Sequence, residues 1–148
     1  MVGPVHSANN QFADSSTDEP RWDGLSPLGR EWVVEMNRLG MLVDLSHVSP
    51  EAATDAIAAS RAPVIFSHSD VAALNPHPRN VPDDVLRRLP DTDGVVMITF
   101  VPGFVNEEVA QWGRDVRPQL QEQLRTQLEG VTDEAERARR TEAFWREH

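Results

Sequence analysis

Residues 41–70 read MLVDLSHVSPEAATDAIAASRAPVIFSHSD, and their order decides the fold. A short apolar run, MLVDL (41–45), ends in Ser46-His47. Ser49-Pro50 then supplies an N-cap and a first-turn proline for a helix over EAATDAIAAS, through residue 60. A second apolar run, APVIF (62–66), ends in Ser67-His68-Ser69. The sequence therefore runs strand, polar tip, helix, strand, polar tip. Apolar strands alternating with helices imply a parallel sheet covered on both faces.

The same grammar extends outward. Upstream, Ser26-Pro27 opens a helix whose Leu28, Trp32, Met36 and Leu39, with Val33, are expected on one face, and Gly40 is expected to close it. Downstream, the Pro-rich loop NPHPRN (75–80) leads to a short helix near VPDDVLRRL, and a third apolar run, GVVMITF (94–100), ends in Pro102-Gly103. Residues 1–25 mix Ser, Asn, Asp and Pro without periodicity and read as a loop. From Glu107 the chain is rich in Glu, Gln, Arg and Ala. Leu120, Leu124 and Leu128 support one helix between Pro118 and Gly130, and a second is expected with Thr132 as its N-cap and no capping box. The expected organisation is α/β: 1–25 loop, 26–106 three parallel βα units, 107–148 a helical insertion or tail. The end at Glu147-His148, with no Gly, Pro or further strand, reads as cut rather than finished.

Composition limits the function classes. The chain of 148 residues carries a net charge of −10 and no basic cluster, which argues against a nucleic-acid partner. All 14 basic residues are Arg, and there is no Cys, so a disulfide or a thiolate metal site is excluded and any transition metal must be held by His and carboxylates. No apolar run approaches the ~20 residues of a membrane span, and the N-terminus lacks a signal-peptide layout. A cytoplasmic location is the expectation.

In parallel α/β proteins ligands gather at the carboxyl ends of strands. His47 and His68 both stand there, in the same place relative to successive runs. Neighbouring strands lie ~4.8 Å apart, so two such imidazoles could meet on one metal. Each could instead be an isolated histidine, one bonded to its own loop and the other to a neighbouring hydroxyl. Arg79, stiffened by Pro76, Pro78 and Pro82, is suited to gripping a carboxylate or phosphate, or else pairs at the surface with Asp83 or Asp84. His77 has no strand behind it and reads as a loop histidine. His6 sits among small polar residues, and nothing in its spacing sets it apart. Asp44 points away from Val43 and Leu45 and so could orient a neighbour.

At this point the residues match a family. GLSPLGREWVVEMNRLGMLVDLSHVS (24–49), SRAPVIFSHSDVAAL (60–74), HPRNVPDDVLRRL (77–89) and GVVMITFVPGFVN (94–106) resemble, in order, the central portion of the membrane (renal) dipeptidases, a family of zinc metallopeptidases. The resemblance implies a partial (β/α)8 TIM-type barrel. It implies a binuclear Zn2+ site hydrolysing a dipeptide substrate, and a possible homodimer. Residue by residue, it implies that His47 and His68 hold one zinc ion. Arg79 would bind the substrate's carboxylate, and His6 would contact substrate near the scissile carbonyl.

The departures are equally specific. The family's first-strand His-x-Asp pair, its bridging glutamate and its late aspartate have no counterpart here. The only His-x-Asp, His68-Ser69-Asp70, belongs to the second histidine motif. Ligands for one zinc are thus only partly present. The expected function is zinc-dependent dipeptide hydrolysis, from an incomplete fragment inactive by itself. A non-catalytic binding module of the same fold is the alternative, and a purely structural α/β fragment leaves the matching site residues unexplained.

Overall fold

The computed structural model describes residues 1–147. These form two compact units, Met1–Glu107 and the helical remainder from Glu108 onward. Among the described residues no helix is long and apolar enough to cross a membrane.

The first unit is built on three parallel strands, β1 (Val43–Asp44), β2 (Val64–Ser69) and β3 (Val95–Ile98), ordered in the sheet as in the chain. Val43 pairs with Val64 and Asp44 with Ile65; Ile65 pairs with Val95 and Phe66 with Val96. Ser69 then pairs with Ile98, so β2 spends one more residue than β3 between these pairs. The extra residue lies between Phe66 and Ser69, a bulge-like irregularity of the kind that bends a strand and re-aims side chains.

The first two helix starts follow from their serine caps. In α1 (Pro27–Arg38) the Ser26 hydroxyl accepts from Gly29 N at 3.0 Å, and Gly40, at φ +67°, ends the helix. Gly40 N donates to Asn37 O and Met41 N to Met36 O, the paired bonds of a Schellman motif. In α2 (Pro50–Ala59) Ser49 caps Ala52 N at 3.1 Å. Its buried face is Ala52, Ala53, Ala56 and Ile57, small enough to lie close on the sheet beside Val43, Leu45, Val64 and Phe66. Two short turns follow β2 and β3: α3 (Asp83–Leu86) and α4 (Pro102–Val105).

The face of α1 differs from the expected stripe. Leu28 and Leu39 are 47% and 51% exposed, while Gly29 and Val33 are buried. The cause is the loop: a Cβ at Gly29 would sit 2.0 Å from the Phe12 carbonyl oxygen, so the helix meets the body through its glycine. Trp32 and Met36 pack at the edge of the core. The sheet is also less covered than expected, because Val95, Met97 and Ile98 of β3 stay exposed.

Residues 1–25 contain no helix, as expected, but they are not free of pairing. Val2 bridges Val43 in parallel, with Val2 N donating to Leu42 O and Asp44 N to Val2 O. Ser15 bridges Val48, and the buried Asp14 carboxylate accepts backbone N–H groups from Arg21, Trp22 and Gly24. The first residues thus add a fourth parallel element beside β1.

The second unit holds most of α5 (Glu107–Asp115), then α6 (Arg117–Gln127) and α7 (Glu134–Glu147), with Ala110, Leu120, Leu128 and Phe144 buried. The start of α7 corrects the expectation. Its cap is Asp133, whose Oδ1 accepts from Glu136 N at 2.7 Å and whose carbonyl accepts from Arg137 N. An Asp cap puts Glu136, not Ala135, three positions in, although that glutamate pairs with Arg139 and Arg140.

Candidate active site

Three successive parallel elements each end in a histidine: Val2 leads to His6, β1 to His47, β2 to His68. Adjacent strands therefore bring the three imidazoles together. His47 Nε2 lies 2.9 Å from His68 Nε2, with ring centroids 4.9 Å apart. The His6 ring stacks on His47 at 3.9 Å. Signals for His47 and His68 were in the repeated strand-tip grammar. For His6 the signal was VGPVH, an apolar run too short and Pro-broken to read as a strand.

His47 adopts φ +84°, a region in which a non-glycine residue is strained by about 1–3 kcal/mol and which recurs at functional sites. The surroundings hold it there. Its carbonyl accepts from Ser16 N at 2.8 Å, and Val48 N closes back onto Leu45 O. Burial, with help from Arg79, His6 and His68, pulls its pKa down to about 4, so at neutral pH the ring is uncharged and keeps a lone pair.

Arg79 joins the cluster from the loop after β2. Its Nη2 donates to the His68 carbonyl at 3.2 Å, its Cζ stands 5.3 Å over the Phe104 ring, and its buried Nε has no partner among the described residues. Burial lowers its pKa while Asp44 opposes the shift. Among the described residues Arg79 forms no ion pair with Asp83 or Asp84, and Asp83 pairs with Arg87. A guanidinium with a buried, unanswered donor invites an oxygen acceptor such as a carboxylate.

What positions Arg79 differs from the sequence reading. Besides the prolines, two buried asparagines hold the loop: Asn80 Nδ2 donates to Asn75 O and Phe104 O, and Asn75 Nδ2 donates to Gly103 O. His77 is a loop residue packed on Phe104 at 4.5 Å. A small pocket lies here, lined by His47, Ser69, Arg79 and Asn80 over the side chains of Leu45 and Phe66. Asn75, Asn80 and Phe104 carry no local signal, because the bonds that tie this loop to the segment after β3, Asn75 to Gly103 and Asn80 to Phe104, span 28 and 24 residues.

The donor set fits part of a metal site. Two imidazole nitrogens on a tetrahedral ion with ~2.0–2.1 Å bonds stand roughly 3.3 Å apart. The 2.9 Å separation of His47 and His68 Nε2 meets that with a small ring rotation. Among the described residues no group of three or more His, Asp or Glu side chains converges to hold an ion. The pair supplies two ligands, and further donors must complete any such site.

Comparison with known proteins gives consistent neighbours. A family profile described as "Membrane dipeptidase (Peptidase family M19)" matches residues 1–140. "Dipeptidase tcpJ" of Claviceps purpurea is 57% identical over 105 residues, 70% of this chain and 25% of that protein. An uncharacterized dipeptidase of Schizosaccharomyces pombe is 55% identical over 103 residues, 69% of this chain and 25% of its own. The chain thus spans about a quarter of the length of these relatives. Among solved structures, the probable dipeptidase PvdM from Pseudomonas aeruginosa is similar at TM-score 0.64 and 38% identity, over 66% of this chain and 26% of its own. A metallo peptidase from Rhodobacter sphaeroides, liganded with a phosphinate mimic of the dipeptide L-Ala-D-Ala, is similar at TM-score 0.65 and 31% identity, over 71% and 31%.

Proposed function

This chain belongs to the membrane dipeptidase family, peptidase family M19, and from that membership we propose that the protein hydrolyses dipeptides at the cluster of His6, His47, His68 and Arg79. Its three parallel strands are an arc of the family's TIM-type barrel. The observation that carries the reading is the convergence of three strand-end imidazoles with one guanidinium whose buried Nε lacks a partner. The dipeptide mimic held by the Rhodobacter relative supports the substrate class.

Family membership implies metal use, and His47 and His68 would hold zinc through their Nε2 atoms, with further donors completing the site. A bound zinc ion supplies Lewis acidity and brings the pKa of a coordinated water toward neutrality. His47, kept uncharged at neutral pH, carries no charge that would repel a cation. Arg79 binds the dipeptide's terminal carboxylate, which fixes the substrate's length by requiring that charge a set distance from the metal ligands. His6, stacked on His47 and held by the Ser15 hydroxyl on its carbonyl, presents its ring where an N–H can meet the developing oxyanion.

The test is hydrolysis of Ala- and Gly-containing dipeptides by a full-length polypeptide carrying these residues. His47→Ala and His68→Ala should abolish zinc-dependent turnover, and His6→Ala should lower kcat more than it raises KM. Turnover indifferent to all three substitutions would refute the proposal.

A further inference from the structure

A chain of hydrogen bonds runs behind His68, away from the other imidazoles. Asp44, the last residue of β1, accepts the backbone N–H groups of Ser46 (3.0 Å) and Ser67 (3.1 Å) at Oδ1, and the Ser67 hydroxyl (2.5 Å) at Oδ2. A serine hydroxyl has one proton to give. With that proton donated to Asp44, Ser67 Oγ meets His68 Nδ1, 2.7 Å away, as an acceptor, and the proton in that contact sits on Nδ1. A neutral imidazole protonated at Nδ1 carries its lone pair on Nε2, the atom that faces His47.

Resting on the reading of His47 and His68 as metal ligands, we propose that Asp44 and Ser67 are positioning residues: their hydrogen-bond relay locks His68 as the Nδ1–H tautomer and so aims its Nε2 lone pair at the ion. A free imidazole takes either tautomer, and a ligand in the wrong one must transfer its proton before it binds. An acceptor behind the ring removes that step and raises the ring's basicity, as outer partners of metal-bound histidines commonly do. Here the acceptor is a hydroxyl polarised by a carboxylate rather than the carboxylate itself.

The fold builds this relay. In a regular strand Ser67 and His68 would point to opposite faces; here the register of β2 shifts between Phe66 and Ser69, and the two neighbouring side chains touch at 2.7 Å. Ser46 completes the frame, its Oγ accepting from His68 N at 3.0 Å. Asp44 thereby ties both strand tips and the ring behind one carboxylate. The two backbone bonds to Asp44 do not depend on the Ser67 hydroxyl, so Ser67→Ala cuts the relay while leaving them in place.

The experiment uses the full chain labelled with 15N-histidine. Two-bond 1H–15N correlation spectra without metal, near neutral pH, read the tautomer directly: His68 is expected protonated at Nδ1. Ser67→Ala should release it to a mixture of tautomers and weaken zinc binding, measured against a chromophoric chelator, by roughly 10–100-fold. Ser67→Thr, which keeps a hydroxyl, should restore both. An Nε2–H tautomer in the unmodified chain overturns the proposal, as does a Ser67→Ala chain with unchanged spectrum and affinity. If Ser67→Ala loses its far-UV circular dichroism, the tautomer of the unmodified chain and the Ser67→Thr pair decide instead. His47→Ala and His68→Ala chains are titrated in parallel. Zinc binding indifferent to both would remove the ligand reading and this proposal's aiming role with it. Zinc binding lost in both but untouched by Ser67→Ala would sink the relay alone.

Discussion

Gly29→Ala is expected to destabilise the protein, against the usual direction for a helical glycine. In an exposed helix interior the change gains about 1 kcal/mol of helix propensity. Here the added methyl would lie 2.0 Å from the Phe12 carbonyl oxygen and 2.9 Å from its carbonyl carbon, both backbone atoms that no rotamer change can move away. Helix α1 and the 10–13 segment must therefore separate by more than an ångström. That movement breaks Ser26 N→Phe12 O (2.9 Å) and Ser26 Oγ→Gln11 O (2.6 Å), each worth about 1 kcal/mol. Overpacking strain adds about 1–3 kcal/mol. The net expectation is a loss of about 2–4 kcal/mol, or several degrees in Tm at this size. Urea unfolding followed by circular dichroism measures it, with an unchanged m-value showing that the folded state alone is affected. A Gly29→Ala chain as stable as the parent, or more so, would refute the close-approach reading. Gly40→Ala serves as the contrast: nothing lies within 4 Å of its Cβ, so its cost is only the roughly 1–2 kcal/mol of a left-handed alanine.

Three further outcomes are expected. Arg79→Lys in a full-length polypeptide should weaken dipeptide binding by about 1.5–3 kcal/mol, read from KM or calorimetry, because a point charge replaces a fork; unchanged binding would rule the clamp out. The folded pKa of His47, about 4, lies below its unfolded value of about 6.5, so the folded state binds fewer protons between them. Metal-free stability is thus fully present above about pH 6.5 and declines as pH falls toward 4. Solvent screening keeps the loss modest. Urea midpoints that stay flat over that window, or a slope that survives His47→Gln, would contradict the assignment. Finally, the 148-residue chain given excess zinc should hydrolyse dipeptides far below the ordinary ~1–10³ s⁻¹, since among the described residues no group of three or more side chains is placed to hold an ion; turnover in that range would mean unrecognised ligands lie within it.

The parts of the fold that sequence reveals are those set by neighbours along the chain. Ser26-Pro27 and Ser49-Pro50 mark helix starts because a cap bonds to a backbone group three residues on, and Gly40 marks an end because only its φ matters. The buried side of α1 depends instead on what lies across from it. Leu28 and Leu39 fit a helical stripe as well as Gly29 and Val33 do, and the choice falls to a loop carbonyl at Phe12, 17 residues away. Val2 shows the same limit: a single ladder partner leaves no alternating pattern to read, yet it sets His6 beside His47.

The site divides along the same line. His47 and His68 are visible because each repeats a position relative to its own strand, and Arg79 because a proline-stiffened loop presents it, whereas His6 carries no such signal. Asp44 reads only as an acid able to orient something, because its partner is set by register. Asp44 pairs with Ile65, and Ser67, two residues further along β2 on the same side, comes within 2.5 Å of the carboxylate. A one-residue slip of β2 would carry Ser67 away and turn His68 to the other face. The register and bulge of β2 are therefore as much a part of the site as the imidazoles, and a variant that shifts them, leaving all three histidines intact, should lose the His47–His68 approach altogether.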